Sequence, residues 1–271
     1  MLDSGDALRD QYARDGYIFP IRVMDEATAK QHRLDLERAE AMATNLPDPN
    51  SYFREYSNIA LKFVDDIARS PVVTDPVAAL LGEDLLVMGT SFFTKEPNST
   101  SYVSWHQDLH YWGLEGDDEV TAWIALSPAT AASGAMRFVP GSHTEIVAHA
   151  DTFHEDNLLT RGQEIAVEVD EEDAVTAELQ PGEMSLHHGR LFHASAPNRT
   201  DDRRIGLAIR YVPTRMKQEF GGICATLVRG DDKYGNFELV DGGSRLLAPE
   251  DIERHGEIVE RRRRILMRET G

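Results

Sequence analysis

The sequence is most informative at Ser104-Trp105-His106-Gln107-Asp108-Leu109-His110-Tyr111, a segment that we expect to be extended. Because side chains alternate between the two faces of a strand, His106 and Asp108 are expected on one face. A histidine far downstream, His193 in Leu191-Phe192-His193-Ala194-Ser195, can close a triad with them. Two imidazoles and one carboxylate with the opposite face open are the ligand set of non-heme Fe(II) oxygenases. The sequence therefore predicts an iron site at these three residues.

The composition excludes several classes of partner. The chain has 271 residues, of which 28 are basic and 47 acidic, and its formal net charge of -19 repels nucleic acid and anionic lipid. We therefore expect no nucleic-acid or membrane partner. A single cysteine, Cys224, excludes an internal disulfide and a multi-cysteine zinc site, which fits a reducing compartment. No leader and no membrane helix are predicted, so a cytoplasmic location is expected.

The pattern of apolar residues predicts a mainly β protein with flanking helices. No linker divides the chain, so one domain is expected over 1–271, with a helical part to about 84, a core to about 213 and an extension over 214–271. Two helical stretches are predicted between residue 7 and about 43, the second over 25–42, and a short strand near 16–20 separates them. Further helices are predicted at 67–82, with Pro71 and Pro76 setting starts, and at 252–267. Strands are predicted at 85–94, 102–109, 120–126, 135–139, 165–169, 184–186 and 205–212. Short strands separated by Pro and Gly turns indicate a jelly roll braced by N-terminal helices.

Two further segments allow more than one interpretation. The polar stretch 142–162 is long for a loop inside a compact domain, and it is either a lid over a site or a mobile insertion. The basic run Arg261 to Arg264 lies in the predicted C-terminal helix. Glu257 and Glu260 precede Arg261 and Arg264 by four residues, the favourable order for helical ion pairs. The run is therefore interpreted as a solvated helix face.

The order of these motifs resembles the phytanoyl-CoA dioxygenase family of Fe(II)- and 2-oxoglutarate-dependent oxygenases. His106-Gln107-Asp108-Leu109-His110-Tyr111 is similar to the first ligand motif of that family, and His193 stands where its second histidine is found. The resemblance covers roughly 85–213 and, more loosely, 15–17. It implies a double-stranded β-helix, the jelly roll also found in cupins, with iron held by His106, Asp108 and His193.

The resemblance also implies a set of cosubstrate-binding residues. The basic residue that binds the far carboxylate of 2-oxoglutarate in the family corresponds to Arg204, and its neighbour Arg203 would point to the other face. Ser195 matches a position that hydrogen-bonds the cosubstrate, and Trp123 matches an aromatic wall of its pocket. Lys95 resembles a recurrent family lysine, although a solvated lysine at a strand end would look the same. His110, His143, His187 and His188 are not expected to be ligands.

The expected activity is hydroxylation of an unactivated C–H bond in a small or medium-sized organic molecule, using O2 and converting 2-oxoglutarate to succinate. The carboxylate of Asp108 supports hydroxylation, because a small residue replaces it in related halogenases. A fatty acyl-CoA 2-hydroxylase remains an alternative, although a charge of -19 argues against a broad CoA-binding surface. A non-catalytic jelly-roll metal-binding module and a cupin-like metalloenzyme without 2-oxoglutarate also remain open. The sequence leaves the oligomeric state undetermined.

Overall fold

The structure, a computed structural model, describes residues 5–159 and 162–267. The helices are α1 (Gly5–Asp15), α2 (Glu26–Ala43), α3 (Ser51–Arg54), α4 (Ser57–Ala60), α5 (Lys62–Arg69), α6 (Pro71–Leu81) and α7 (Pro249–Met267). The strands are β1 (Tyr17–Arg22), β2 (Leu85–Lys95), β3 (Val103–His106), β4 (Val120–Ala125), β5 (Met136–Phe138), β6 (His149–Asp151), β7 (Gln163–Ile165), β8 (Val175–Ala177), β9 (Glu183–His187), β10 (His193–Ser195), β11 (Arg204–Pro213), β12 (Cys224–Arg229) and β13 (Glu238–Leu239).

The contacts within the described residues divide the chain into two compact units. The first comprises Met1–Lys30, Phe93–Trp112 and Thr121–Leu207, and the second comprises Gln31–Phe92, Gly113–Val120 and Ala208–Gly271. Every residue predicted to bind metal or cosubstrate belongs to the first unit. The prediction of one domain over 1–271 stays a prediction.

The first unit contains the two facing sheets of the predicted jelly roll. One sheet has the order β1-β9-β4-β11-β2. In this unit β11 contributes only its first residues and β2 only its last. The other sheet has the order β3-β10-β5-β8. Tyr17 of β1 stacks on Phe138 of β5 with ring centroids 5.1 Å apart, so the sheets pack face to face. A separate hairpin pairs β6 with β7. The predicted mainly β fold with flanking helices is confirmed.

The second unit combines helices with the remaining residues of β11 and β2, which lead to β12 and then β13. Its core includes a buried cluster of Tyr56, Ile59, Cys224, Ile258 and Val259, so the lone cysteine is a buried packing residue. None of the described helices combines the length and the hydropathy that a membrane crossing requires.

Local sequence explains where several helices begin and end. The backbone N–H of Thr28 donates to Oδ1 of Asp25 at 2.7 Å, which caps α2 as the sequence predicts. Pro71 occupies the first turn of α6, where its missing N–H costs no hydrogen bond. Gly82 ends the same helix with φ of +96°, a conformation that favours glycine.

Several predicted boundaries in the helical parts are wrong. The helix expected over 67–82 is two helices, α5 and α6, separated at Ser70, and Pro76 lies inside α6 rather than at a start. The last helix begins at Pro249, three residues before the predicted start. Arg261 pairs with Glu238 rather than with the expected Glu257, because β13 carries an acidic side chain toward the helix. The predicted pair of Arg264 with Glu260 is present.

The predicted strands need two corrections. The strand expected over 102–109 ends at His106, after which residues 109–111 form a 3-10 turn. The strand expected at 165–169 lies earlier, at Gln163–Ile165, where it pairs with β6 inside the predicted 142–162 loop. That loop is therefore partly ordered as a hairpin, and its residues 160 and 161 lie outside the described residues. The strands β6, β8, β10, β12 and β13 were not predicted.

Candidate active site

The three predicted ligands meet at one place in the first unit. His106 ends β3 and His193 begins β10, and the two strands are antiparallel neighbours with His193 opposite His106. Their ring centroids lie 4.0 Å apart. Asp108 Oδ1 lies 3.4 Å from His106 Nε2, and the ligand atoms of all three side chains lie within 4.8 Å of one another. Strand pairing thus brings together residues that are 85 or more positions apart in sequence.

Hydrogen bonds orient both histidine rings toward this point. Nδ1 of His106 lies 2.9 Å from the carbonyl oxygen of Ser104 and 3.1 Å from that of His193. Nδ1 of His193 lies 3.0 Å from the carbonyl oxygen of Leu191. Because carbonyl oxygens only accept, each Nδ1 is the donor, so in a neutral ring the lone pair is on Nε2. Both rings are therefore in the tautomer that binds a metal through Nε2.

Burial keeps one of these rings neutral. The pKa of His193 lies well below its ordinary value, first because the ring is buried and then because His106 lies beside it. A neutral imidazole is the form that binds a metal. Asp108 supplies the negative charge of the set, and 13% of its side-chain surface is exposed, against 5% for His106. The donor set of two imidazoles and a carboxylate fits Fe(II).

Asp108 reaches the triad by a route that differs from the predicted one. It is not a strand residue with the same facing as His106, since its φ of -67° and ψ of -47° are helical and it begins the 3-10 turn. The backbone N–H of Leu109 donates to the carbonyl oxygen of Gly189 at 2.9 Å, which fixes this turn. The carboxylate therefore reaches the ligand position because the chain turns after His106, and not through strand alternation.

Arg204 is a buried cation without an acidic partner. Its side chain is 1% exposed, and it forms no ion pair within residues 5–159 and 162–267. Nη1 makes one long hydrogen bond of 3.5 Å to the carbonyl oxygen of Phe93, and Nε has no hydrogen-bond partner. Burial lowers its pKa to about 10. A buried guanidinium with free donors is a fitting partner for a carboxylate ligand.

The surroundings of Arg204 contain the other predicted cosubstrate residues. Its guanidinium carbon lies 5.3 Å from the ring centroid of Trp123, which is on the neighbouring strand β4. Lys95 is fully buried, and its pKa is lowered to about 6 by burial and by the charge of Arg204. Lys95 Nζ donates to Ser195 at 2.6 Å to Oγ and 3.0 Å to the carbonyl oxygen, and also to the carbonyl oxygen of Ala196. The predicted residues Lys95 and Ser195 thus bind each other.

A family model described as phytanoyl-CoA dioxygenase (PhyH) matches residues 12–206, which include the triad, Lys95, Trp123, Ser195 and Arg204. The chain belongs to the PhyH family. The predicted resemblance is therefore confirmed, and the match begins earlier in the chain than the predicted span of 85–213.

Known relatives of this PhyH chain carry oxygenase names. It is 28% identical over 195 residues to a probable alpha-ketoglutarate-dependent hypophosphite dioxygenase of Stutzerimonas stutzeri, covering 70% of this chain and 64% of the relative. It is 24% identical over 245 residues to a 1-deoxypentalenic acid 11-beta-hydroxylase of Streptomyces arenae, covering 82% and 86%. The chain thus spans less than two thirds of the length of the first of these relatives.

A solved structure supports the same fold over nearly the whole chain. The apo form of the non-heme monooxygenase ThoJ superposes with a TM-score of 0.88 and 32% identity, covering 96% of this chain and 98% of that one. The likeness includes both the PhyH match and the residues that follow it.

Five other histidines of this PhyH chain pack against one another or against the triad. The ring of His187 lies 5.0 Å from that of His193, and His110 stacks on His149 with centroids 4.3 Å apart. His143 and His188 pack against each other at 5.3 Å, close to the start of β1. Among the described residues, the potential metal-binding group consists of His106, Asp108 and His193 alone. That His110, His143, His187 and His188 are not ligands stays a prediction.

Two further residues, Gln107 and His149, shape the site and were not predicted from the sequence. Gln107 is fully buried, and its amide joins three backbone groups: Nε2 donates to Glu145 at 2.7 Å and Arg190 at 2.5 Å, and Oε1 accepts from Val147 at 2.9 Å. His149 accepts a hydrogen bond from the backbone N–H of Gln107 at 3.0 Å. The ligand motif is therefore tied directly to the 142–162 segment. The position of Gln107 between two ligands was the only available signal.

Proposed function

We propose that this chain is an Fe(II)- and 2-oxoglutarate-dependent oxygenase that hydroxylates a C–H bond of a small or medium-sized organic molecule. One observation carries the proposal: a triad of potential metal ligands and a buried guanidinium without an acidic partner occur in the same unit. The first fits a divalent metal and the second fits a carboxylate. Lys95 joins them, because it contacts Ser195 two residues from His193 and is close enough to Arg204 to have its pKa lowered.

The residues take separate roles in this proposal. His106, Asp108 and His193 would hold iron, with both imidazoles already oriented by backbone carbonyls. Arg204 would bind the far carboxylate of 2-oxoglutarate, and Trp123 would form a wall of the same pocket. Ser195 and Lys95 would lie at its base and exclude water. When bound, iron, O2 and 2-oxoglutarate supply the oxidising chemistry, releasing succinate and carbon dioxide as the C–H bond is hydroxylated.

Two features bear on the reaction and its substrate. Asp108 occupies the third ligand position, which favours hydroxylation over a halogenation that needs this position free. A small substrate is supported by the hydroxylase name of the Streptomyces arenae relative. The formal charge of -19 is unfavourable for the phosphates of an acyl-CoA. Fatty acyl-CoA 2-hydroxylation is therefore the second candidate.

The test is an anaerobic titration of the Fe(II)-loaded protein with 2-oxoglutarate, followed by visible absorption. We expect the weak charge-transfer band of a chelated 2-oxo acid. His193→Ala should abolish the band, while His154→Ala, which removes an exposed histidine, should leave it unchanged. Iron binding without a band would overturn the 2-oxoglutarate assignment and favour a cupin-like enzyme. Failure to bind iron would favour a non-catalytic module.

A further inference from the structure

Gly206 on β11 occupies a position where the structure leaves no room for a side chain. A Cβ placed there would fall inside 3.0 Å of three atoms of the Trp123 ring, including Cη2 at 2.5 Å. The residue is not among the glycines with positive φ, so its backbone does not require glycine. The reason for glycine here is therefore the close approach of the indole ring.

The same ring supports Arg204. Arg204 and Gly206 are two positions apart on β11, so they share one face of the strand, and Trp123 projects from the adjacent strand β4. The guanidinium lies over the indole at 5.3 Å from its centroid, while the ring rests on the backbone of Gly206. One indole thus contacts both residues, and its position depends on the absence of a side chain at 206.

Few other contacts hold the guanidinium. Its hydrogen bond to Phe93 is long, at 3.5 Å, and Nε has no partner. The attraction between a buried cation and an indole face is therefore the main interaction that places it. If the ring shifts, the donors that would face a carboxylate shift with it.

We propose that Gly206 is a positioning residue of the cosubstrate site, which acts through Trp123 to set the place of the Arg204 guanidinium. The inference rests on the proposed function, because it assumes that Arg204 binds the far carboxylate of 2-oxoglutarate. It assigns the glycine a role in recognising a 2-oxo acid with a second carboxylate, as opposed to a 2-oxo acid without one.

The experiment compares two ligands of the Fe(II)-loaded protein under anaerobic conditions. 2-Oxoglutarate has the far carboxylate and pyruvate lacks it, although both present the same 2-oxo acid group to the metal. For Gly206→Ala we expect the dissociation constant of 2-oxoglutarate to rise about tenfold, as befits weakening one charge-assisted hydrogen bond. The dissociation constant of pyruvate should change less than twofold. General damage to the fold would weaken both ligands alike.

A double-mutant cycle identifies the indole as the intermediary. Trp123→Phe removes the atoms closest to residue 206 and keeps an aromatic face. We expect Gly206→Ala to cost at most twofold in 2-oxoglutarate affinity when Trp123→Phe is also present. The matched control is Gly256→Ala in α7, where an added Cβ meets nothing within 4 Å, and it should change neither affinity.

Each result decides a different point. A wild-type protein that binds Fe(II) but gives no band with 2-oxoglutarate overturns the proposed function. A wild-type band together with unchanged 2-oxoglutarate affinity in Gly206→Ala overturns only the role of Gly206, as does an equal loss for pyruvate. If Gly206→Ala does not fold, Trp123→Leu replaces it. That variant must weaken 2-oxoglutarate and spare pyruvate, and loss of neither or of both contradicts the inference.

Discussion

The metal triad and the Lys95–Arg204 pair are both buried polar clusters of the first unit, but they handle charge in opposite ways. Each histidine directs its Nδ1 to a carbonyl oxygen, and burial favours the neutral form of His193. Lys95 and Arg204 are two buried bases whose pKa values are lowered, and Arg204 has no acidic partner. The first cluster is ready for a cation, and the second is ready for an anion.

The difference between the two clusters indicates that the ligand-free protein is destabilised at the Arg204 cluster, where a ligand would bind. A neutral imidazole with a satisfied Nδ1 is inexpensive to bury, whereas a buried cation without a counterion costs several kcal/mol. Such a cost is compensated when a ligand supplies the missing charge. Substitutions at the two clusters should therefore have different signs in the free energy of unfolding of the ligand-free protein.

Replacing Arg204 should have the largest effect on 2-oxoglutarate binding, with a smaller effect on stability. The shift of its pKa from 12.5 to about 10 corresponds to a burial cost of about 3 kcal/mol, and the contact with Trp123 returns about 2 kcal/mol. For Arg204→Met we expect the free energy of unfolding without ligands to rise by about 1 kcal/mol. We expect 2-oxoglutarate affinity to fall about a hundredfold, because two charge-assisted hydrogen bonds are lost. Urea unfolding and the anaerobic titration measure the two effects.

The control for this prediction is Arg137→Met. Arg137 also lies over an indole, that of Trp105 at 5.6 Å, but it is paired with Glu171 at 2.6 Å and is partly exposed. No gain in stability is expected from its removal. A loss of stability in Arg204→Met would mean that the guanidinium is held by more than the contacts described, and the contrast between the clusters would fail.

The two clusters also differ in how well sequence predicts them. His106, Asp108, His193 and Arg204 are recognisable because their types and order form a motif. Their neighbours are not, because the roles of Gln107 and Gly206 depend on partners from distant segments. Gln107 acts on backbone groups of residues 145, 147 and 190, which carry no side-chain signal. Gly206 is required by the ring of Trp123, and the sequence does not tell which glycine lies under which ring.

Asp108 lies beside His106 and His193 as predicted, but by a different backbone geometry. Strand alternation would place residues 106 and 108 on one face, and the two side chains do lie close together. The strand nevertheless ends at His106, and a 3-10 turn places the carboxylate. The end of β3 depends on the hydrogen bond between Leu109 and Gly189, a contact between distant segments that local pattern does not contain. Local periodicity therefore predicts which side chains come together, but not the backbone conformation that places Asp108.

Replacing Gln107 should destabilise the 142–159 segment that this side chain ties to the metal triad. Gln107→Leu keeps the side chain near its original size but leaves the carbonyl oxygens of Glu145 and Arg190 and the N–H of Val147 without these partners. We expect a loss of about 2 kcal/mol in stability and faster proteolysis within 142–159, since buried unpaired groups are costly. Hydrogen exchange at the Val147 amide reports the local opening.

Gln31→Leu is the matched control, because Gln31 is exposed on α2 and its amide bonds only to Asp35. It should not change the proteolysis of 142–159. An unchanged cleavage rate in Gln107→Leu as well would show that other contacts hold this segment to the ligand motif.

The pH dependence of stability tests the charge of Lys95. Its pKa falls from 10.5 to about 6 on folding, so the unfolded chain binds more protons between these values. Stability from this group therefore rises as pH rises from 6 toward 10, by at most about 1.4 kcal/mol per pH unit. The variant Lys95→Met lacks this contribution to the pH dependence of stability.

We therefore expect the free energy of unfolding of the wild type, relative to that of Lys95→Met, to increase between pH 6.5 and pH 9. Two parallel curves would show that the hydrogen bonds to Ser195 and Ala196 keep Lys95 protonated, so that the anion-ready cluster carries two full charges instead of one.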